Sequence, residues 1–194
     1  MSNEQFKDFK WDYESKIEIN ENSLKIEALP KSDYFIDPAS GVKILNAPYF
    51  YTKTSKDFVL KAKVSRTFKS TYDACVLMVQ SSETCWVKLC FELTDLGNNA
   101  VVSVVTNGVS DDANGVNIQG DTVYMQIAKK EDIFALHYSN DGIDYKMVRF
   151  FKLPMSETFK VGFVAQSPTG EGGSCLFEEI QFTNSTLKDM RKGS

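Results

Sequence analysis

The chain has 194 residues, of which 42% are hydrophobic and 25% charged, and a formal net charge of −4. That length suits one domain with a full hydrophobic core and no need of disulfide or metal staples. The acidic balance leaves no electrostatic footprint for nucleic acid or an anionic membrane. No apolar run approaches the roughly 18 residues that a bilayer span needs.

The polar opening MSNEQFKDFKWDYESK lacks a signal-peptide core, so a cytoplasmic protein is expected. The four cysteines, Cys75, Cys85, Cys90 and Cys175, show no CxxC spacing, and a single histidine is too few to complete a zinc site. Buried free thiols are the expectation, although neighbouring strands would also bring Cys pairs within disulfide reach. Neither a metal nor a cofactor is expected. The whole chain, 1–194, reads as one domain with its core at about 15–183, an N-terminal extension over 1–14 and a frayed, solvated basic tail over 184–194.

Taken in order, Phe9, Trp11 and Tyr13 alternate as an extended piece laid on the domain edge. Ile17/Ile19 and Leu24/Ile26/Ala28 flank a polar break at 20–23, which is a hairpin signal. Residues 31–48 hold Pro38, Gly41 and Pro48 and read as loop plus one short strand. An aromatic cluster follows at Tyr49, Phe50 and Tyr51. Phe58, Leu60, Ala62 and Val64 then alternate with polar residues as a half-buried strand.

Residues 72–107 organise the chain. Three β-prone runs (74–80, 85–93 and 100–106) are separated by breaks too short for a crossover, which makes an antiparallel meander. In the middle run Val87, Leu89, Phe91 and Leu93 form a core face, and Trp86, Lys88, Cys90 and Glu92 share the other. The polar stretch 108–120, GVSDDANGVNIQG, reads as a long loop. Alternation resumes at 123–127 and 134–138. Asn140-Asp141-Gly142 then marks a tight turn into 145–151. Further strands read at 159–165 and 176–182, around a Gly-rich loop at 167–174. No segment gives an amphipathic helix. About a dozen short strands at regular spacing specify an all-β sandwich or barrel.

The order Tyr72-Asp73-Ala74, Trp86-Val87-Lys88, Phe91-Glu92, Val101 to Thr106, Ser110-Asp111, Tyr138-Ser139 with Asp141-Gly142, Arg149, Val161-Gly162-Phe163 and Gln166-Ser167-Pro168 resembles one family. It is the bacterial and fungal family of unknown-function domains in the concanavalin A-like lectin/glucanase superfamily, which includes the fungal regulation-of-enolase protein. The resemblance covers about 30–182. It implies a concanavalin A-like jelly-roll β-sandwich of two curved antiparallel sheets, and it implies no settled activity, since fold alone does not give function.

On the concave face such a fold implies, Trp86 would stack on a sugar and Glu92 and Lys88 would take its hydroxyls. His137, Arg149 and Gln166 have strand parity for the same floor. Three functions follow. The first is a binding domain for a carbohydrate-like or polyhydroxy ligand. The second is a glycan hydrolase or lyase using Glu92, against which stands the spacing of Glu92 and Asp95, on opposite strand faces. The third is a protein-interaction module with an exposed apolar patch at 49–51 or among the N-terminal aromatics. Asp111, Asp112 and Asn114 offer oxygen ligands but fit turn chemistry better than a Ca²⁺ site. Gly170 to Gly173 precedes a strand, so no helix N-terminus receives an anion there. Gln166 and Glu171 remain rim candidates. His137 lacks a nucleophile elbow nearby.

Overall fold

The computed structural model describes residues 4–194. After a single 3₁₀ turn at Glu4–Phe6, the strands in chain order are β1 (Lys10–Asp12), β2 (Ile17–Asn20), β3 (Ser23–Ala28), β4 (Tyr34–Ile36), β5 (Lys43–Leu45), β6 (Tyr49–Thr54), β7 (Phe58–Ser65) and β8 (Ala74–Ser82). They continue as β9 (Cys85–Leu93), β10 (Asn99–Asn107), β11 (Val109–Asn117), β12 (Thr122–Lys130), β13 (Ile133–Ser139), β14 (Lys146–Lys152), β15 (Phe159–Gln166) and β16 (Gly173–Thr183). Among the described residues these form two seven-stranded antiparallel sheets and one small hairpin. The first sheet runs β1-β6-β15-β8-β9-β10-β11 and the second β14-β13-β12-β7-β16-β3-β2. This is a jelly-roll β-sandwich.

The two sheets meet over a core drawn from alternate residues. From the first sheet come Cys75, Leu77, Val79, Val87, Leu89, Phe91, Val161 and Phe163, and from the second Leu60, Ala62, Val64, Met125, Ile127, Phe134 and Phe177. The strict period of two in these strands is the sequence pattern that puts each of them inward. Gly162 is required where β15 passes β6, because a Cβ there would lie 2.1 Å from the Phe50 carbonyl oxygen.

The outer face of the first sheet is also buried, over part of its area, beneath the β4–β5 hairpin. Tyr34 and Ile36 pack there on Val76, Met78, Trp86, Cys90, Val102 and Val104, a second apolar cluster. That double burial is why β8 and β9 read as nearly continuous apolar runs. The hairpin is tethered at both ends. Ser32 bridges Ser167, and the Ile36 amide donates to the Ser110 hydroxyl over 3.0 Å.

Four expectations are corrected. Residues 31–48 hold two paired strands, β4 and β5, rather than one. Residues 108–120 are mostly the edge strand β11, whose register along β10 carries a bulge between Ala100 and Val102. Tyr49, Phe50 and Tyr51 are buried, and Phe6, Phe9 and Trp11 pack in or on the core, so of these aromatics Tyr13 alone is exposed and no continuous apolar patch forms. The tail is docked, not frayed. The Met190 carbonyl lies 3.0 Å from His137 Nε2, and the Arg191 guanidinium sits 4.5 Å over the Phe150 ring.

Candidate functional site

On β9 the outward residues run Trp86, Lys88, Cys90, Glu92, and what lies above each one differs. Over Lys88 and Glu92 a pocket of about 270 Å³ opens to solvent. Its floor is Lys88, Glu92 and Gln166, the last contributed by β15. Asp33, Phe35 and Asp37, on and beside β4, make one wall. Tyr72 and Asp112 stand with Val102 and Val104 around the rest.

Lys88 is 2% exposed, and two partners hold its ammonium in place. It donates to Asp33 Oδ1 at 3.2 Å and to Gln166 Oε1 at 3.1 Å. Burial opposes its charge, but Asp33, Cys90 and Glu92 outweigh that and keep the ammonium above its usual range. Gln166 passes the chain on by donating to the Tyr72 carbonyl at 3.4 Å.

Glu92 differs from the other members. It is 7% exposed and makes no hydrogen bond or ion pair among the described residues. Burial pushes its carboxyl up to about 8, with Asp33, Asp112 and Asp95 adding to the rise and Lys88 opposing it. At neutral pH Glu92 is therefore mostly a protonated donor facing a polar pocket.

Behind the pocket lies a buried ion pair, Arg66 Nη2 to Asp73 Oδ2 at 3.1 Å. Asp73 also accepts from the Ser167 hydroxyl at 2.6 Å and from the Lys69 and Ser70 amides. Arg66 donates to the Gln166 carbonyl at 2.9 Å and to the Gly172 carbonyl at 3.3 Å. The Tyr72-Asp73 and Gln166-Ser167 pairs thus clasp one another. Tyr72 is held at φ +69°, a left-handed conformation rare for a tyrosine. Its amide donates to the Leu93 carbonyl at 2.7 Å, which fixes that shape. Local strain of this sort clusters at ligand sites.

Residues 11–185 match the profile of a protein family of unknown function, DUF1349. The chain belongs to that family. Among its relatives is "Regulation of enolase protein 1" of Saccharomyces cerevisiae, 24% identical over 161 residues, covering 82% of this chain and 81% of the relative. The crystal structure of a functionally unknown protein from Saccharomyces cerevisiae superposes with a TM-score of 0.86 at 22% identity, over 94% of this chain and 99% of that one. The carbohydrate-binding module CBM66 of Bacillus subtilis shares the fold, with a TM-score of 0.61 at 9% identity over 90% and 94% of the two chains. The fold neighbours thus include a carbohydrate-binding module.

Of the six ligand-binding residues expected from sequence, this DUF1349 domain brings three together, namely Lys88, Glu92 and Gln166. Trp86 shares their face, but Tyr34 covers it edge-on at 6.1 Å and it is fully buried. It offers no plate for a sugar in this pocket. His137 points outward from the other sheet, under the tail, where Gln126 Nε2 lies 3.1 Å from its Nδ1. Burial holds His137 below its ordinary value of 6.5. Arg149 turns inward at the sandwich edge and pairs with Asp111 of β11 at 3.1 Å, so it does not meet Glu92. Asp111 and Asp112, as strand neighbours, point apart, and Asp112 alone reaches the pocket. Glu171 pairs with Lys31 at 3.2 Å on the exposed rim of the 167–172 loop.

The sequence reading missed Asp33, Phe35, Asp37 and Tyr72. The Tyr72-Asp73 motif was a signal for the last of these. The hairpin residues carried none.

Proposed function

We propose that this domain binds a small hydroxyl-rich ligand of the carbohydrate class in the Lys88–Glu92 pocket. The observation that carries this reading is Glu92, a nearly buried carboxyl with no partner of its own in a cavity open to solvent. Its oxygens face the open cavity, where a ligand hydroxyl would take the place of water. Glu92 would donate to that hydroxyl, Asp112 and Asp33 would accept from others, and Phe35 and Tyr72 would face the apolar edge of the ring. Formal charges favour neutral or cationic ligands over anionic ones. Asp33, Asp37 and Asp112 give three carboxylates against the one ammonium of Lys88. The carbohydrate-binding module among the fold neighbours supports the ligand class. The four free thiols suit a reducing, cytoplasmic setting.

Thermal shift and calorimetry with glucose, xylose, arabinose, inositol, glucosamine and glucuronate test this reading. A ligand that binds the native state raises the melting temperature by mass action. A neutral sugar or glucosamine should shift the parent, and Glu92→Leu and Tyr72→Asn should weaken that response about tenfold, as losing one or two good contacts does. Asparagine tolerates the left-handed backbone at position 72. Silence from every compound, or an unchanged response in both variants, would overturn the assignment.

A second reading is favoured by one observation, the rise of Glu92 to about 8 while other carboxylates stand in the same pocket. Environments that separate two carboxyls are how an acid and a base are set apart in glycan hydrolysis. Glu92 would then act as general acid and Asp112 or Asp33 as the second carboxyl. Turnover of a ligand found in the first experiment, lost in Glu92→Gln, distinguishes catalysis from binding alone. The regulatory name of the yeast relative leaves a protein partner as a third reading. It is placed behind the other two because, of the aromatics expected to form its docking patch, Tyr49, Phe50 and Tyr51 are buried and Phe9 and Trp11 pack on the core, which leaves Tyr13 exposed by itself.

A further inference from the structure

A larger hollow, about 600 Å³, lies on the same outer sheet face beyond the β4–β5 hairpin. It is bordered by Asp12 and Tyr13 of the N-terminal segment, by Tyr34, by Lys53 and Lys160, and by Gln80. Strand parity puts Lys53, Gln80 and Lys160 outward on β6, β8 and β15, so they form a floor. Two buried polar atoms at this end lack partners among the described residues, and a tyrosine hydroxyl stands beside them. The Gln80 residue is 6% exposed, and its side-chain oxygen accepts no hydrogen bond among the described residues. Tyr34 is 2% exposed and borders the hollow, and its hydroxyl makes no hydrogen bond among them either. Trp86 stands directly across from Gln80 in the β8–β9 register and has a buried, unpartnered indole N–H.

Native proteins seldom leave buried atoms such as the Gln80 oxygen unmet, and beside the Tyr34 hydroxyl it calls for a molecule that both donates and accepts. A hydroxyl does both. The surrounding charges balance, Asp12 and Glu83 against Lys53 and Lys160, and both acids are already paired, Asp12 with Lys160 and Glu83 with Lys43. Lys53 is exposed and carries no ion pair among the described residues, leaving one free donor at the mouth. Tyr13, next to Asp12, is 54% exposed, an aromatic ring available to a sugar face.

We propose that this hollow is a second ligand site, built for a neutral or singly anionic saccharide, in which Gln80 and Tyr34 bind ring hydroxyls, with Trp86 buried behind them, and Lys53 and Tyr13 meet the outward side. It is independent of the Lys88–Glu92 pocket and differs from it in charge, since that pocket disfavours anions.

The test is a proton–nitrogen NMR titration of the full chain with xylobiose, cellobiose and glucuronate. The Trp86 indole N–H and the Gln80 side-chain amide report this hollow, and the Gln166 side-chain amide reports the other pocket. Trp11→Phe assigns the two indole signals. At least one saccharide should move the Trp86 and Gln80 signals, with affinity reduced about tenfold in Gln80→Leu by loss of one buried hydrogen bond. Lys53→Ala, an exposed change with no folding risk, should weaken it several-fold, most for glucuronate. If no saccharide moves either signal, ordered water satisfies these atoms and the proposal falls. It also falls if Lys53→Ala titrates like the parent. Movement of Gln166 alone would uphold the first pocket and overturn the second.

Discussion

Glu92→Gln should make the protein more stable at neutral and alkaline pH. In the folded state the carboxyl sits near 8, against an ordinary value of 4.5 once the chain unfolds. Between those values the folded state binds more protons than the unfolded state, so stability falls as pH rises from about 4.5 through 8. Each unit of the gap is worth 1.36 kcal/mol, which gives about 3 kcal/mol lost by pH 7 and about 4–5 kcal/mol above pH 8. Glutamine fills nearly the same volume and does not ionise, so its stability should be flat over that window. Urea unfolding of both proteins at pH 5, 7 and 8 measures the difference directly. It should be under about 1 kcal/mol at pH 5 and grow to about 3 kcal/mol at pH 7, or some 6–12 °C in melting temperature for a chain of this size. Parallel stabilities at all three pH values would refute the argument, because they would mean that Glu92 is solvated enough to ionise freely.

Arg66→Leu leaves Asp73 buried without its cation, and should cost about 3–5 kcal/mol in chemical denaturation. A loss below about 1 kcal/mol would show that the Ser167 hydroxyl and the two amides suffice. Gly162→Ala drives a methyl into the Phe50 carbonyl at 2.1 Å, so β15 and β6 must part. Overpacking of that kind costs about 1–3 kcal/mol or more and should appear as a lower urea midpoint or as insoluble protein. His137, held below its ordinary 6.5 by burial, contributes stability above that value that is lost as pH falls through its folded value. His137→Gln should therefore flatten the acid limb of the pH–stability profile, and an unchanged limb would assign the acid sensitivity elsewhere.

The sandwich was legible in the sequence because its strands alternate strictly and its turns are short, as at Asn140-Asp141-Gly142. Parity alone placed Lys88 and Glu92 on one face. What parity cannot reveal is the cover. Trp86 and Lys88 carry the same signal, yet Tyr34 lies on the first and a cavity on the second. The wall of the pocket was hidden for a related reason. Asp33 meets Lys88 from 55 residues away, out of a stretch rich in proline and glycine where periodicity is silent. The docked tail was equally opaque, since its main anchors are the carbonyls of Met190 and Gly193, which every residue type offers.

The edge strand β11 reads as a loop because it is so polar, with Asp111, Asp112, Asn114 and Gly115 on a backbone that is fully extended beside β10. An outermost strand nine residues long is an open template on which a second chain can add its own strand. Charge, glycine and a bulge are among the devices that make such a template unattractive, and β11 carries all three. Its composition therefore protects against self-association. Replacing Asp111 with valine would restore the alternation that a sequence reader looks for, in line with Val109 and Ala113, and with it a sticky rim along which copies of the domain could line up into ribbons.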